Sequence, residues 1–258
     1  MIFFAYALTY SLGLFFGLLA CIKVGHIVGR RRHIRDGEPA DGGSGAIDGA
    51  VYGLVGLLLA FSFSGAITRY DMYRNLLVEE ASAITGSYAR LDLLPPTSQP
   101  ALRSLMRQYV QARIDAYRAI YDSHDENTAF ARGRELQDEM WTKAMLVAKD
   151  SGSAAVLSQV SDSLDRMFDF PARQHAAQSG HPPAVISSLM FVLAMMAALI
   201  AGYGMGSLHT MPLLRVMVFS AAMAITMYVI IDMEYPGSGF FNPDSIEQIL
   251  VETLKGMN

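Results

Sequence analysis

Four long apolar stretches, two on each side of a polar middle, decide what this chain can fold into. They run Ile2–Ile22, Gly49–Thr68, Ala184–Leu208 and Val216–Ile231. None contains Asp, Glu, Lys or Arg, and Arg215 stands just at the mouth of the fourth. A helix needs about 20 apolar residues to cross the hydrocarbon core of a bilayer. A water-soluble helix of that length would keep a polar face, and these have none. The expected surroundings are therefore lipid. The expected fold is all-α: a polytopic membrane protein with four transmembrane helices and a helical extramembrane bundle inserted between the second and third. The boundaries read 1–68 for the first two spans, 69–183 for the insert, 184–233 for the last two spans and 234–258 for a C-terminal tail.

Composition agrees with a molecule in two parts. Of 258 residues, 52% are hydrophobic, and the mean hydropathy of +0.28 is high for a soluble protein but low for one buried in lipid throughout. The insert carries 13 Lys or Arg against 15 Asp or Glu, a mixed surface with no basic block for a nucleic acid. The single cysteine, Cys21, lies in the first apolar stretch and has no intrachain partner for a disulfide. The first stretch lacks a positive leader and a small-residue cleavage site, so a retained helix is expected rather than a signal peptide.

Orientation follows from the loop after the first span, which reads Arg30-Arg31-Arg32-His33-Ile34-Arg35 behind Lys23. Short loops rich in Lys and Arg stay in the cytoplasm. That places the insert and both termini outside, in a periplasm. Arg69, Arg74 and Arg173 beside the insert favour the opposite arrangement but are interleaved with acids. The arginine cluster also suits lipid head groups.

No proline occurs between Ser62 and Leu93, so the second span should continue unbroken from about residue 47 to 93, roughly 70 Å of helix. Beyond the membrane, Leu77, Ala81, Ile84, Tyr88 and Leu91 form one apolar stripe. Pro95-Pro96 should stop this helix, with Thr97 or Ser98 capping the next. That helix carries Leu102, Leu105, Met106, Tyr109, Ile114 and Tyr117 on its inner side. Ser123-His124-Asp125 marks a break. A third helix over about 128–149 should turn Phe130, Met140, Trp141, Ala144 and Ala148 inward. A fourth, with Val156, Val160, Leu164 and Met167, should be interrupted at Pro171.

The second span holds the residues best suited to a function. Gly49, Gly53, Gly56 and Ala60 share one face, where small side chains let helix backbones approach closely. About 80° around the helix, by its 3.6-residue turn, lie Leu57, Phe61, Ser64 and Thr68. A bulky aromatic above hydroxyls gives a narrow constriction beside a polar lining, if several copies surround an axis. The alternative is ordinary packing, with the hydroxyls bonded to their own helix, Phe61 in lipid and the glycines against neighbours in the same chain. Arg69, Arg74, Glu79 and Glu80 follow and could charge a vestibule. Plain surface pairing, such as Asp71 with Arg74, serves equally. Asp232 and Glu234 close the fourth span.

No charged residue stands at mid-membrane, which argues against an ion-coupled transporter. The histidines have no partners at metal-ligand spacing, so no metal and no cofactor are expected. No nucleophile–base pair, phosphate loop or dinucleotide fingerprint is present. Nothing in the chain points to an enzyme.

The run Gly56-Leu57-Leu58-Leu59-Ala60-Phe61-Ser62-Phe63-Ser64 continues through Arg69-Tyr70-Asp71 to Val78-Glu79-Glu80-Ala81-Ser82-Ala83-Ile84 and Tyr88-Ala89-Arg90-Leu91-Asp92-Leu93-Leu94-Pro95. This resembles the bacterial bestrophin-like domain family, whose pattern is a G-L-L-x-x-F-x-F-S run, an arginine-flanked turn, an acidic E-A-x-A-I and an L-R-x-x-L-L-P end. Here Ser82 stands where Asn is expected, and Tyr235 before Pro236 where a basic residue is more usual. The resemblance implies a homo-oligomeric ion channel of the bacterial inner membrane, passing anions rather than cations, with phenylalanines of the second span at the neck. Phe61 is the matching position, with Leu57 and Ser64 beside it. The resemblance also implies a cytoplasmic helical part, against the orientation read from charge. The rival reading is a non-conducting sensor or scaffold whose insert binds a partner or ligand.

Overall fold

The structure, a computed structural model, describes residues 2–36, 45–122, 126–179, 184–234 and 244–257. The expected break at Ser123–Asp125, the Pro182–Pro183 lead-in and the Tyr235–Gly237 positions lie outside the described residues. Among the described residues eight α-helices follow one another: α1 Ile2–Asp36, α2 Gly45–Arg90, α3 Gln99–Asp122, α4 Glu126–Asp150, α5 Ala154–Ser179, α6 Ala184–Gly204, α7 Leu213–Glu234 and α8 Asp244–Lys255. No strand occurs among the described residues. Short 3-10 turns at Leu91–Leu93 and Met205–Ser207 finish α2 and α6.

Contacts divide the chain into two compact units, one of residues 2–69 and 181–235, the other of residues 70–180 and 236–258. The first unit holds the apolar helices, and among the described residues four helices are long and apolar enough to cross a membrane. Its core gathers Leu14, Leu18 and Ile22 of α1, Ala194 and Ala198 of α6, and Val216, Met227 and Ile231 of α7. The tightest crossing is between α1 and α6. A methyl added at Gly25 would stand 2.1 Å from the Leu199 carbonyl oxygen, and one at Gly202 would stand 2.1 Å from that of Ile22. Gly29 and Gly206 are just as close to the opposing backbone. Without a hydrophobic drive between helices in lipid, such backbone contact supplies the packing energy.

The second unit is amphipathic. Leu77 and Ile84 of α2, Leu102, Met106 and Tyr109 of α3, Leu136 and Met140 of α4, Leu164 and Met167 of α5, and Leu250 of α8 make its core. Two local expectations fail here. Trp141 is 39% exposed rather than inward, because Met140 and Ala144 already place the buried arc of α4 one residue away. Pro171 does not interrupt α5, which runs through it. The missing N–H costs one backbone bond, while Phe170 and Gln174, both buried, hold the helix on either side. Ser98 stands directly before α3 as the expected cap, its carbonyl accepting from the Leu102 N–H at 3.3 Å while its hydroxyl donates to the Pro95 carbonyl at 2.8 Å. The tail is also more than a tail. It forms α8, and the Met257 carbonyl accepts from the Tyr88 hydroxyl at 2.6 Å and from Arg107 at 3.2 Å.

Candidate functional site

α2 is built to be long. Across a bilayer every backbone amide must be satisfied within the helix, so Gly53 and Gly56 do not break it. In the apolar unit its covered side is narrow: Val55 and Ala66 are buried, Leu58 and Leu59 are half-buried, and the Ser62 hydroxyl rests 3.0 Å from the Met190 sulfur. Only 11% of the most apolar stretch of α2 is covered by the rest of the chain, against 28–33% for the other three apolar helices.

The candidate residues occupy the uncovered side. Gly49, Gly53, Gly56 and Ala60 are all exposed. A methyl added at any of the three glycines would meet no atom within 4 Å. The packing alternative, in which these glycines seat a neighbour of the same chain, therefore does not occur; that role belongs to Gly25, Gly29, Gly202 and Gly206. Leu57 and Phe61 are 53% and 66% exposed, and Ser64 and Thr68 are exposed with them. The Thr68 hydroxyl donates to the Ser64 carbonyl at 2.9 Å, as a hydroxyl in an apolar span is expected to do.

The four charges do not form one cluster. Arg69 pairs with Glu234 at 2.6 Å, joining the middle of α2 to the C-terminal end of α7 within the apolar unit. Asp232, two residues earlier in α7, is buried. In the amphipathic unit Arg74 is exposed, and Glu79 meets Arg173 at 3.3 Å on the surface. The anticipated Asp71–Arg74 ion pair is absent among the described residues. Glu80 departs furthest from the expectation of a vestibule: it is fully buried, because it lies on the same arc of α2 as Leu77 and Ile84.

Glu80 is the centre of a closed polar network. Arg113 Nε donates to its Oε1 at 2.7 Å, the Tyr117 hydroxyl donates to its Oε2 at 2.9 Å, and Gln174 Nε2 donates to Oε2 at 2.6 Å. Arg113 also donates to the Gln174 side-chain carbonyl and, at 3.2 Å, to the Tyr117 oxygen. Burial alone would lower the affinity of Arg113 for its proton, but the negative charge of Glu80 more than offsets this and holds it above the usual arginine range. Burial pushes the Tyr117 phenol well up, and Glu80 adds to the effect. Tyr109 next to them is pushed up to about 12 by burial, with Arg113 opposing and Glu80 reinforcing. Arg113 and Gln174 were not singled out from sequence, and Tyr117 was expected only as an inward-facing residue of its helix. The available signal was one acid and one base, Glu80 and Arg113, each falling on the apolar stripe of its helix.

Among the described residues no group of three or more His, Cys, Asp or Glu side chains could hold a metal ion.

An all-helical chain with four bilayer-length apolar helices and a least-covered glycine-bearing α2 is the architecture of a polytopic helical membrane protein. A family model described as the bestrophin-like domain matches residues 14–242, and the chain belongs to that family. Three crystal structures of mutant forms of a bacterial bestrophin homologue from Klebsiella pneumoniae share the fold. One superimposes with a TM-score of 0.73 at 12% identity, over 95% of this chain and 98% of that one. The others give 0.70 and 0.68 at 14% identity, each over 94% of this chain and 99% of the other. No curated protein matches the sequence.

Proposed function

We propose that the chain is the subunit of a homo-oligomeric ion channel in which α2 lines the conducting axis. The observation that carries this reading is the uncovered side of α2. It joins a glycine seam that touches nothing in its own chain to a stripe of Leu57, Phe61, Ser64 and Thr68. Lipid alone gives no reason to keep glycines in open register; a neighbouring copy does, because close backbone approach needs small residues. With α2 helices side by side, Leu57 and Phe61 form a hydrophobic neck and Ser64 and Thr68 a polar step beside it.

In this reading the amphipathic unit, 69–183 together with α8, lies outside the bilayer, and the spans sit in a bacterial inner membrane. Arg69, Arg74 and Glu79 border the polar end of the pathway, while Glu80 serves the interior of its own unit. Anion passage is what kinship with bestrophins favours. Its sign is read from the reversal potential in a salt gradient.

The test is reconstitution. Purified protein in planar bilayers should conduct, and Phe61→Ala should change unitary conductance or open probability at least severalfold. A protein that is monomeric in mild detergent and silent at all voltages would favour the non-conducting sensor or scaffold instead. A reporter fused at Asn258 decides between the periplasmic orientation read from charge and the cytoplasmic one implied by kinship.

A further inference from the structure

The C-terminal end of α1 joins strong positive charge to bare apolar surface. From Lys23 to Arg35 the chain has five Lys or Arg and no acid, in a protein whose net charge is −4. All of this segment is helical. Its inner side is committed to α6: Gly25 and Gly29 sit against the α6 backbone, and buried His26 meets the Met205 carbonyl at 3.0 Å. The outer side carries Ile27 at 41%, Val28 at 50% and Ile34 at 73% exposure. Exposed Arg30 and Arg31 lie between them. Arg32 Nη1 donates to the Tyr203 hydroxyl at 2.7 Å, which sets a tyrosine at the same level, as at a bilayer interface.

Positive-inside topology explains the arginines but not the isoleucine beyond them. One exposed isoleucine is ordinary, but Ile27, Val28 and Ile34 beside four arginines suit an interfacial helix end, with guanidinium groups at phosphate depth and the aliphatic side chains against acyl chains. We propose that this face of α1 is a binding site for an anionic phospholipid of the surrounding bilayer. Arg30 and Arg31 hold the phosphodiester head group, and Ile27, Val28 and Ile34 receive the chains. Arginine suits this better than lysine because its fork bonds two phosphate oxygens at once.

The experiment uses the full-length protein, solubilised and exchanged into nanodiscs of phosphatidylcholine alone or mixed with phosphatidylglycerol, then counted for retained lipid by native mass spectrometry. Wild type should keep phosphatidylglycerol in preference to phosphatidylcholine. Each arginine at an anionic surface is worth about fivefold in partitioning, so R30Q/R31Q should lower that preference by about 25-fold. R134Q, on an exposed position of the amphipathic unit, should leave it unchanged. Equal retention of the two lipids, or an unaltered R30Q/R31Q, would overturn the proposal. So would release by inorganic phosphate at matched concentration, which would mark a free-phosphate site. Should the double variant fail to fold, wild type alone decides: phosphatidylglycerol must raise its melting temperature above that in phosphatidylcholine, and no rise refutes the site.

Discussion

Removing Arg113 from the buried network should cripple the amphipathic unit, and the way it does so distinguishes an ion pair from mere packing. In Arg113→Met, Glu80 loses the donors at 2.7 and 3.4 Å and keeps only Tyr117 and Gln174. Its carboxylate has no exposure through which water could replace them. Breaking one partner out of a buried pair costs about 3–5 kcal/mol. At about 3 °C per kcal/mol for a unit of this size, the apparent melting temperature in detergent should fall by about 10–15 °C. Glu80→Leu/Arg113→Met removes both charges and should melt well above Arg113→Met, with a coupling of about 2 kcal/mol or more. Fluorescence-detected size exclusion after heating reads wild type, Glu80→Leu, Arg113→Met and the double variant. A single variant within 2–3 °C of wild type, or a double as unstable as the sum, would refute the reasoning, given about 3 °C per kcal/mol.

Glycine substitutions should separate two kinds of seam. Gly25→Ala puts a methyl 2.1 Å from a backbone oxygen and should abolish a monodisperse product. A methyl added at Gly53 meets nothing within 4 Å, so Gly53→Leu should leave each chain folded while dissociating the oligomer, read by light scattering in detergent. Tyr109, held up to about 12 by burial, should be silent at 295 nm where the exposed tyrosines ionise near pH 10. Its folded pKa lies above its unfolded one, so the stability it contributes is intact below about pH 10 and lost on rising toward pH 12. An alkaline titration in which all 12 tyrosines ionise together before unfolding would contradict this.

The four apolar helices were legible because charge-free runs of bilayer length have no competing explanation. α2 was legible for the same kind of reason: without proline, nothing local could end it before Pro95. The residues expected to line a pathway on α2 do share one side, since 3.6-residue periodicity fixes that as soon as the helix is known. Three features were not legible in that way. Which glycines pack inside the chain depends on which helices meet, and periodicity cannot say that Gly25 faces Gly202 rather than Gly53. Glu80 and Arg113 are 33 residues apart, and each alone reads as a surface charge. Only the meeting of α2, α3 and α5 turns them into a buried pair. The path of α5 through Pro171 was decided by burial on both sides of the proline, which outweighs a lost hydrogen bond.

Local sequence thus set the elements, their lengths and the faces they present, because those follow from backbone bonding and solvent preference along one segment. The tertiary structure alone decided which faces are covered. Coverage is a pairwise property of distant segments, and here it leaves one side of α2 bare while closing Glu80 away from water.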